Sequence, residues 1–357
     1  MNKERMIATF CDLVKIPSES PNDREFVSHL EKLFKKEGAQ TRTDTYGNLV
    51  AKFPAKGSTN NEPVAFCCHA DTVKPGAGIT PLVENDIIRS NGNTILGADD
   101  KAGIAILFEM LKSSSKHPPI EIIITRCEEI GTEGSTNLDY SLVSSKIAYI
   151  LDEENIDEIV VGAPTKFAFY VEYTGQSAHA SEPENGVSAV KSASLAISRM
   201  KLGRIDHEST ANVGMIDGGE VVNGIPGKAK VVAECRSCDR NKAVKIAEEM
   251  EAIFKAAAKE TGTTVDVKKE IKYEAFLIPT DAKVVQIAVN ALKKNGITAK
   301  TTVITGGLDA NNLNAHGIHA ATLGVGYRDI HTTKEHLIIK DMETAAKSVI
   351  EIVESLA

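Results

Sequence analysis

The sequence predicts an α/β protein of two domains, one inserted into the other. Three observations lead there. At 357 residues the chain exceeds what one hydrophobic core of ordinary size organises. Helical and strand patterns alternate over residues 1–165 and again over 278–357. Between 166 and 277 the order changes to strand, helix, strand, strand, helix, strand, which is the split βαβ unit of a self-contained small domain. The expected domains are therefore 1–165 joined with 278–357, and an insertion at 166–277.

Apolar residues at helical spacing predict helices over 2–16 and 23–37, the second stopped by Gly38. Strands are expected at 48–53 and 64–68, and a helix over 101–114 leads to the β-branched run at 120–127. AYIL, 148–151, is a further short buried strand. Within the insertion KFAFYVEYTG, ANVGMID, KAKVVAECR and TTVDVKKEI read as strands, with helices over 187–200 and 240–260. Beyond it follow a helix from 281, strands at 300–304 and 319–323, and a closing helix over 340–356.

Composition narrows the function. Hydrophobic residues at 42% and charged residues at 25% are ordinary for a globular protein. No apolar run approaches a membrane span, and the N-terminal MNKERMIATFCDLVKIP breaks its apolar residues up with charges, unlike a secretory signal. A cytoplasmic protein with no membrane partner is expected. A net charge of −8 argues against nucleic acid as a partner, since phosphate binding draws on clustered Lys and Arg. The six cysteines do not form a disulfide framework. Cys235 and Cys238 make a C-x-x-C, but inside an alternating strand pattern and not at the strand-to-helix turn a redox pair uses, and no second C-x-x-C completes a zinc knuckle.

The chemistry gathers where strands end. VAFCC runs into His69 and, two residues on, Asp71; on an extended chain both side chains face one side, so the carboxylate can fix the tautomer of an imidazole whose other nitrogen binds metal. LGADDKAG places Asp99 and Asp100 between glycines before a helix, where one of them alone would read as an N-cap. IEIIITRCEEIGTEG runs a core strand into Glu128 and Glu129, which alone would read as solvent-facing residues. Asp152 follows AYIL, and His331 lies in GVGYRDIHTTKEH. Open α/β sheets place their sites at the carboxyl ends of strands. Imidazoles and carboxylates without thiolate suit a pair of divalent ions, zinc first, with manganese or cobalt as alternatives. Neighbours on an extended chain face opposite ways, so one of Glu128 and Glu129 would bind metal while the other addresses a water.

HADTV, GADDKAG, EEIGTEG, the Asp of ILDEEN, AHAS, the segment from NGIPGKA to CRSCD, GGLDAN and YRDIHTT occur in this order along nearly the whole chain. In these motifs the sequence resembles the dinuclear zinc exopeptidases, and within them the peptidase T group. The resemblance implies a mixed-sheet catalytic domain with a βαββαβ lid and dimerisation domain inserted in it, a homodimer, and two divalent metal ions. It implies that His69 and Asp152 hold one ion, Glu129 and His331 the other, and Asp99 bridges them, with a cis peptide bond between Asp99 and Asp100. Asp71 would orient His69, and Glu128 would be the general base. His179 would stabilise the oxyanion, from the partner subunit, while Asn223, Arg236 and Gly307 would hold substrate.

Two positions depart from the peptidase T pattern. Thr305 stands where an arginine is expected, and Leu308 where a small residue is usual. The expected function is release of residues from short peptides, with N-acyl amino acid amidohydrolase or dipeptidase activity as the alternative. A metal-binding protein without catalysis is a third reading, opposed by Glu128. His29, His117, His207, His316, His319 and His336 receive no role.

Overall fold

Runs of β-branched and small apolar residues, buried on both sides, form the middle of one mixed sheet. The computed structural model describes all 357 residues, which fall into two compact units: 1–162 with 277–304 and 308–357, and 163–276 with 305–307.

In the first unit Ile120–Thr125, Val64–His69, Ile147–Glu153 and His319–Gly324 lie side by side and parallel, in that order. Every residue of Val64–His69 and of Ile120–Thr125 is buried, as expected of parallel strands covered on both faces. Leu49–Phe53 adds antiparallel to Ile120–Thr125, and Gln40–Thr43 adds to it in turn. At the other side Glu158–Ala163 pairs antiparallel with His319–Gly324 and parallel with Lys300–Val303. The four parallel strands end on the same edge, so the residues that follow them are delivered to one place.

The helices Lys3–Val14, Arg24–Lys36, Lys283–Lys294 and Ile339–Ser355 are amphipathic and each buries one face. The segment Ala98–Ser113 is different, being buried from Ala98 through Met110. Its first residues are not helical: Asp99 and Asp100 have extended and irregular backbones, and their peptide bond is cis. The helix proper starts near Lys101, where the apolar pattern begins. Gly103 lets it close onto the sheet, because a Cβ there would stand 2.6 Å from the Leu151 carbonyl and 2.9 Å from the Cys68 sulfur. The strands carrying His69 and Asp152 thus pack closely against this helix.

A four-stranded antiparallel sheet of Leu82–Glu84, Ile87–Arg89, His336–Ile338 and Tyr327–Arg328 has no counterpart among the expected elements. Its strands are two or three residues long, too short for an alternating pattern to mark them. It matters because the segment carrying His331 runs between two of them.

Asp23, fully buried, pairs with the equally buried Arg126 through the guanidinium Nε at 2.8 Å and through Nη2, and also accepts from the Cys127 amide at 3.2 Å. Arg126 donates further to the carbonyls of Tyr46 and Pro21. Removing one partner of a buried pair leaves the other charged and unsatisfied. Asp23→Ala is expected to lower stability by about 3–5 kcal/mol, read from denaturant unfolding of the metal-free protein. A loss under about 1 kcal/mol would show that Arg126 finds other partners.

The second unit is an antiparallel sheet in the order Gly203–Arg204, Ser209–Gly218, Lys228–Ser237, Thr165–Thr174, Thr264–Tyr273, with the helices Ala189–Arg199 and Arg240–Thr261. Setting aside Gly203–Arg204, the strand order is that of a ferredoxin-like βαββαβ fold. Alternate residues Phe167, Phe169, Val171 and Tyr173 meet Ala229, Val231, Ala233 and Cys235 in its core, with Ala193, Ala247 and Phe254 from the helices. Cys235 points into this core, and burial pushes its thiol up to about 12, the opposite of a reactive thiolate. All six cysteines are free thiols.

Candidate metal centre

The five expected ligands converge at the carboxyl edge of the parallel strands. His69 closes its strand, Asp152 lies near the end of the next, Asp99 precedes the buried helix, and Glu129 and His331 come from turns. Asp99 is the centre of the cluster. Its Oδ1 lies 2.8 Å from His69 Nε2, and its Oδ2 lies 3.3 Å from His331 Nε2. Asp152 Oδ1 is 3.8 Å from His69 Nε2, and Glu129 Oε2 is 2.9 Å from His331 Nε2. Donor atoms of His69, Asp99 and Glu129 lie within 4.8 Å of one another, and so do those of His69, Asp100 and Asp152. Two ligands of a tetrahedral ion with bonds near 2.0–2.1 Å stand about 3.4 Å apart, so the spacing suits metal coordination.

Electrostatics point the same way. The ion pairs of Asp99, Glu129 and Asp152 are with histidines. Burial pushes Asp152 well above the usual carboxylate range, and Asp99 adds to it. Burial likewise raises Glu128, with Asp309, Glu129 and Asp71 contributing against the pull of His69. Burial opposes charge on Asp99, yet bonds from His331 and His69 hold its carboxyl below the usual range. Bonds to Asp99 and Glu129 hold the His331 imidazolium up to about 10. So many buried carboxylates around two imidazoles need more positive charge than the side chains bring. Two divalent ions would balance the four carboxylates Asp99, Glu128, Glu129 and Asp152, and the N/O donor set without thiolate fits zinc, manganese or cobalt. The residues present therefore fit a pair of divalent ions.

The carboxylate pair is not on an extended strand as the sequence suggested. The strand stops at Thr125, Cys127 adopts a left-handed backbone at φ +56°, and Glu128 and Glu129 stand on the turn that follows. Asp71 fixes this turn. Its Oδ1 accepts from the Glu128 amide at 2.9 Å, its Oδ2 from the Glu129 amide at 3.2 Å, and the Ser20 hydroxyl also donates to it. His69 Nδ1 meets the Asp71 carbonyl at 2.9 Å, with the carboxylate at 3.5 Å. The tautomer that leaves Nε2 free for metal is thus held mainly by the backbone of Asp71, and its carboxylate holds the two glutamates.

Sequence reasoning missed three other contributors. Tyr327 donates its hydroxyl to Asp152 Oδ1 at 2.8 Å. The buried Asp309 accepts from Ser135 at 2.6 Å and from Thr125, tying the GGLDAN motif to the strand and turn that carry the glutamates. Glu335 accepts from four successive backbone amides, 96 to 99. The signal for Asp309 and Glu335 was their place inside the GGLDAN and GVGYRDIHTTKEH motifs; Tyr327 likewise stands in YRDIHTT.

The remaining expected residues belong to the second unit. His179 pairs with Gly224 on a two-stranded ribbon, the Ala180 amide donates to the Asn223 carbonyl at 2.9 Å, and the His179 and Asn223 backbones are neighbours. His179 is exposed, with Nδ1 2.7 Å from the Ser181 hydroxyl. Arg236 donates through Nε at 2.8 Å and Nη2 at 3.2 Å to Glu234, and through Nη1 to the Thr305 carbonyl at 3.4 Å. Gly307 lies against Tyr273, whose ring a Cβ would meet at 2.1 Å. Asp206, His207 and Glu208 also cluster, but partly exposed and with Lys242 as their counter-ion.

The chain is similar to known peptidases. The M20 peptidase dimerisation domain matches residues 165–262. A tripeptidase from Staphylococcus aureus is 35% identical over 100% of this chain and 99% of its own, with a TM-score of 0.92. The chain belongs to the M20 peptidase family. Within the M20 family it sits with the peptidase T group: an aminopeptidase PepT from Bacillus cereus is 37% identical over 100% and 99% of the two chains, with a TM-score of 0.89. A Bacillus subtilis protein, YqjE, described as uncharacterized, is 38% identical over the full length of both.

Proposed function

We propose that this M20 protein is a metal-dependent exopeptidase that releases residues from short peptides. The observation that carries the reading is Asp99, whose two carboxylate oxygens face His69 and His331 separately, with Glu128 on the turn beside them. His69, Asp152 and Asp99 Oδ1 would hold one ion, and Glu129, His331 and Asp99 Oδ2 the other, zinc being the first choice. Such ions polarise a carbonyl and acidify a water.

The chain's own residues supply the rest. Glu128 takes a proton from the attacking water at its carboxylate and passes it to the leaving amine nitrogen as the C–N bond breaks. Its buried position suits it to the task, since a carboxylate raised toward neutrality is a stronger base. Asp71 keeps Glu128 in place by accepting a hydrogen bond from its backbone amide. His179 donates to the developing oxyanion from a partner subunit, and Arg236, with Asn223 and Gly307, holds the substrate carboxylate. For Arg236 this means sharing its guanidinium with Glu234, which already takes two of its donors. The protein is proposed to act as a homodimer, on the strength of the dimerisation domain it contains. It is also proposed to be cytoplasmic, in keeping with six free thiols.

Release of amino acids from di- and tripeptides and from N-acyl amino acids by the zinc-loaded protein tests the substrate class. Turnover of tripeptides from the free amino end is expected; turnover of acyl amino acids alone would move the assignment to amidohydrolases.

A further inference from the structure

Glu335 lies four residues beyond His331 and is 1% exposed. Its side chain reaches across to the segment leading into Asp99. Oε2 accepts from the amides of Leu96 at 2.7 Å and Gly97 at 2.8 Å, and Oε1 from those of Ala98 at 2.7 Å and Asp99 at 3.1 Å. A carboxylate has about four acceptor positions, and here four consecutive amides take them. The backbone of Glu335 is itself fixed: its amide donates to the Thr332 carbonyl at 3.1 Å, and the next residues, His336–Ile338, pair with Ile87–Arg89 in the small sheet.

Two ends of this clamp carry expected metal ligands. One is the turn that presents His331, the other the backbone that presents Asp99. His331 and Asp99 Oδ2, with Glu129, make up the proposed second ion site, whereas His69 and Asp152 arrive on strands of the main sheet, and the Glu335 carboxylate bonds instead to amides 96–99. We infer that Glu335 is a positioning residue for the metal centre, setting the spacing between His331 and Asp99 and so the affinity for the ion they share with Glu129. The inference rests on the two-ion reading above. A glutamine in its place would be isosteric but would turn an NH2 group toward two of the four amides, so the substitution separates shape from hydrogen-bonding capacity.

Zinc titration by calorimetry on metal-free wild type, Glu335→Gln and Glu335→Asp tests it, with circular dichroism and thermal melting confirming that each metal-free variant is folded. Wild type is expected to take up two ions. Glu335→Gln is expected to keep one near wild-type affinity and bind the other about 10–100-fold more weakly, the range seen when a group supporting metal ligands is lost. In turnover kcat falls at limiting zinc and recovers toward wild type at excess zinc, while KM for the peptide stays the same. If Glu335→Gln does not fold, the same titration on Glu335→Asp, which keeps the charge but falls short by one methylene, decides by the same criterion. Two ions bound with wild-type affinities, or both weakened equally, would overturn the inference. Wild type that binds fewer than two ions would overturn the reading beneath it, and the inference with it.

Discussion

Glu128→Ala is expected to reduce kcat for peptide hydrolysis by about 10²–10⁴-fold, the contribution of a positioned general base, while zinc content stays at the wild-type level. Glu128 is placed by its backbone amide on Asp71, so deleting the side chain beyond Cβ leaves that bond and the neighbouring Glu129 in place. KM should change little, because the carboxylate acts on the water and not on the bound peptide. Steady-state rates and metal analysis of the same preparation check both halves. Loss of zinc together with activity would instead make Glu128 a ligand. Unchanged activity would remove the base from the account.

The second large effect is expected at Asp99. Because its two oxygens face the two histidines separately, Asp99→Ala takes one ligand from each proposed ion site. Zinc uptake should fall at both, and hydrolysis should disappear with it. Zinc should also stop protecting the fold. An ion at 100 times its dissociation constant stabilises a folded protein by about 2.7 kcal/mol, so the wild-type melting temperature should rise with added zinc while that of Asp99→Ala stays nearly flat. The metal-free variant should be less stable than metal-free wild type, since Asp99 pairs with both His69 and His331 and its removal leaves the two imidazoles without that partner. A variant that still gains stability from zinc to the wild-type extent would show that the ions bind elsewhere.

Much of the architecture is legible in the sequence because it follows from periodicity. The βαββαβ order is visible since strands such as Lys228–Ser237 alternate one residue in and one out, and Arg240–Thr261 has Asp239 at its start and Gly262 at its end. Glu158–Ala163 is not visible as a separate strand because only Pro164 divides it from the next one. Asp309–Ala315 is hidden because its asparagines are poor helix formers; the helix exists through tertiary bonds such as that from Asn312 to Ser135.

The site is legible at the level of which residues to suspect, because each follows a strand or opens a helix. How they are held is not. A left-handed Cys127 has no signature in a sequence where glycine is the usual bearer of that conformation. The bonds from Asp71 to the two glutamate amides join positions more than fifty residues apart, and those from Glu335 to the Asp99 segment span more than two hundred. Closures of that kind are set by the whole sheet and not by any local pattern.

The measurement that bears most directly on the account is the metal content and position in zinc-soaked crystals, by anomalous scattering at the zinc edge. Two peaks per chain are expected, about 3.5–4 Å apart, with Asp99 between them, His69 and Asp152 on one and Glu129 and His331 on the other. A single peak, or peaks away from Asp99, would contradict the dinuclear centre and the exopeptidase mechanism built on it.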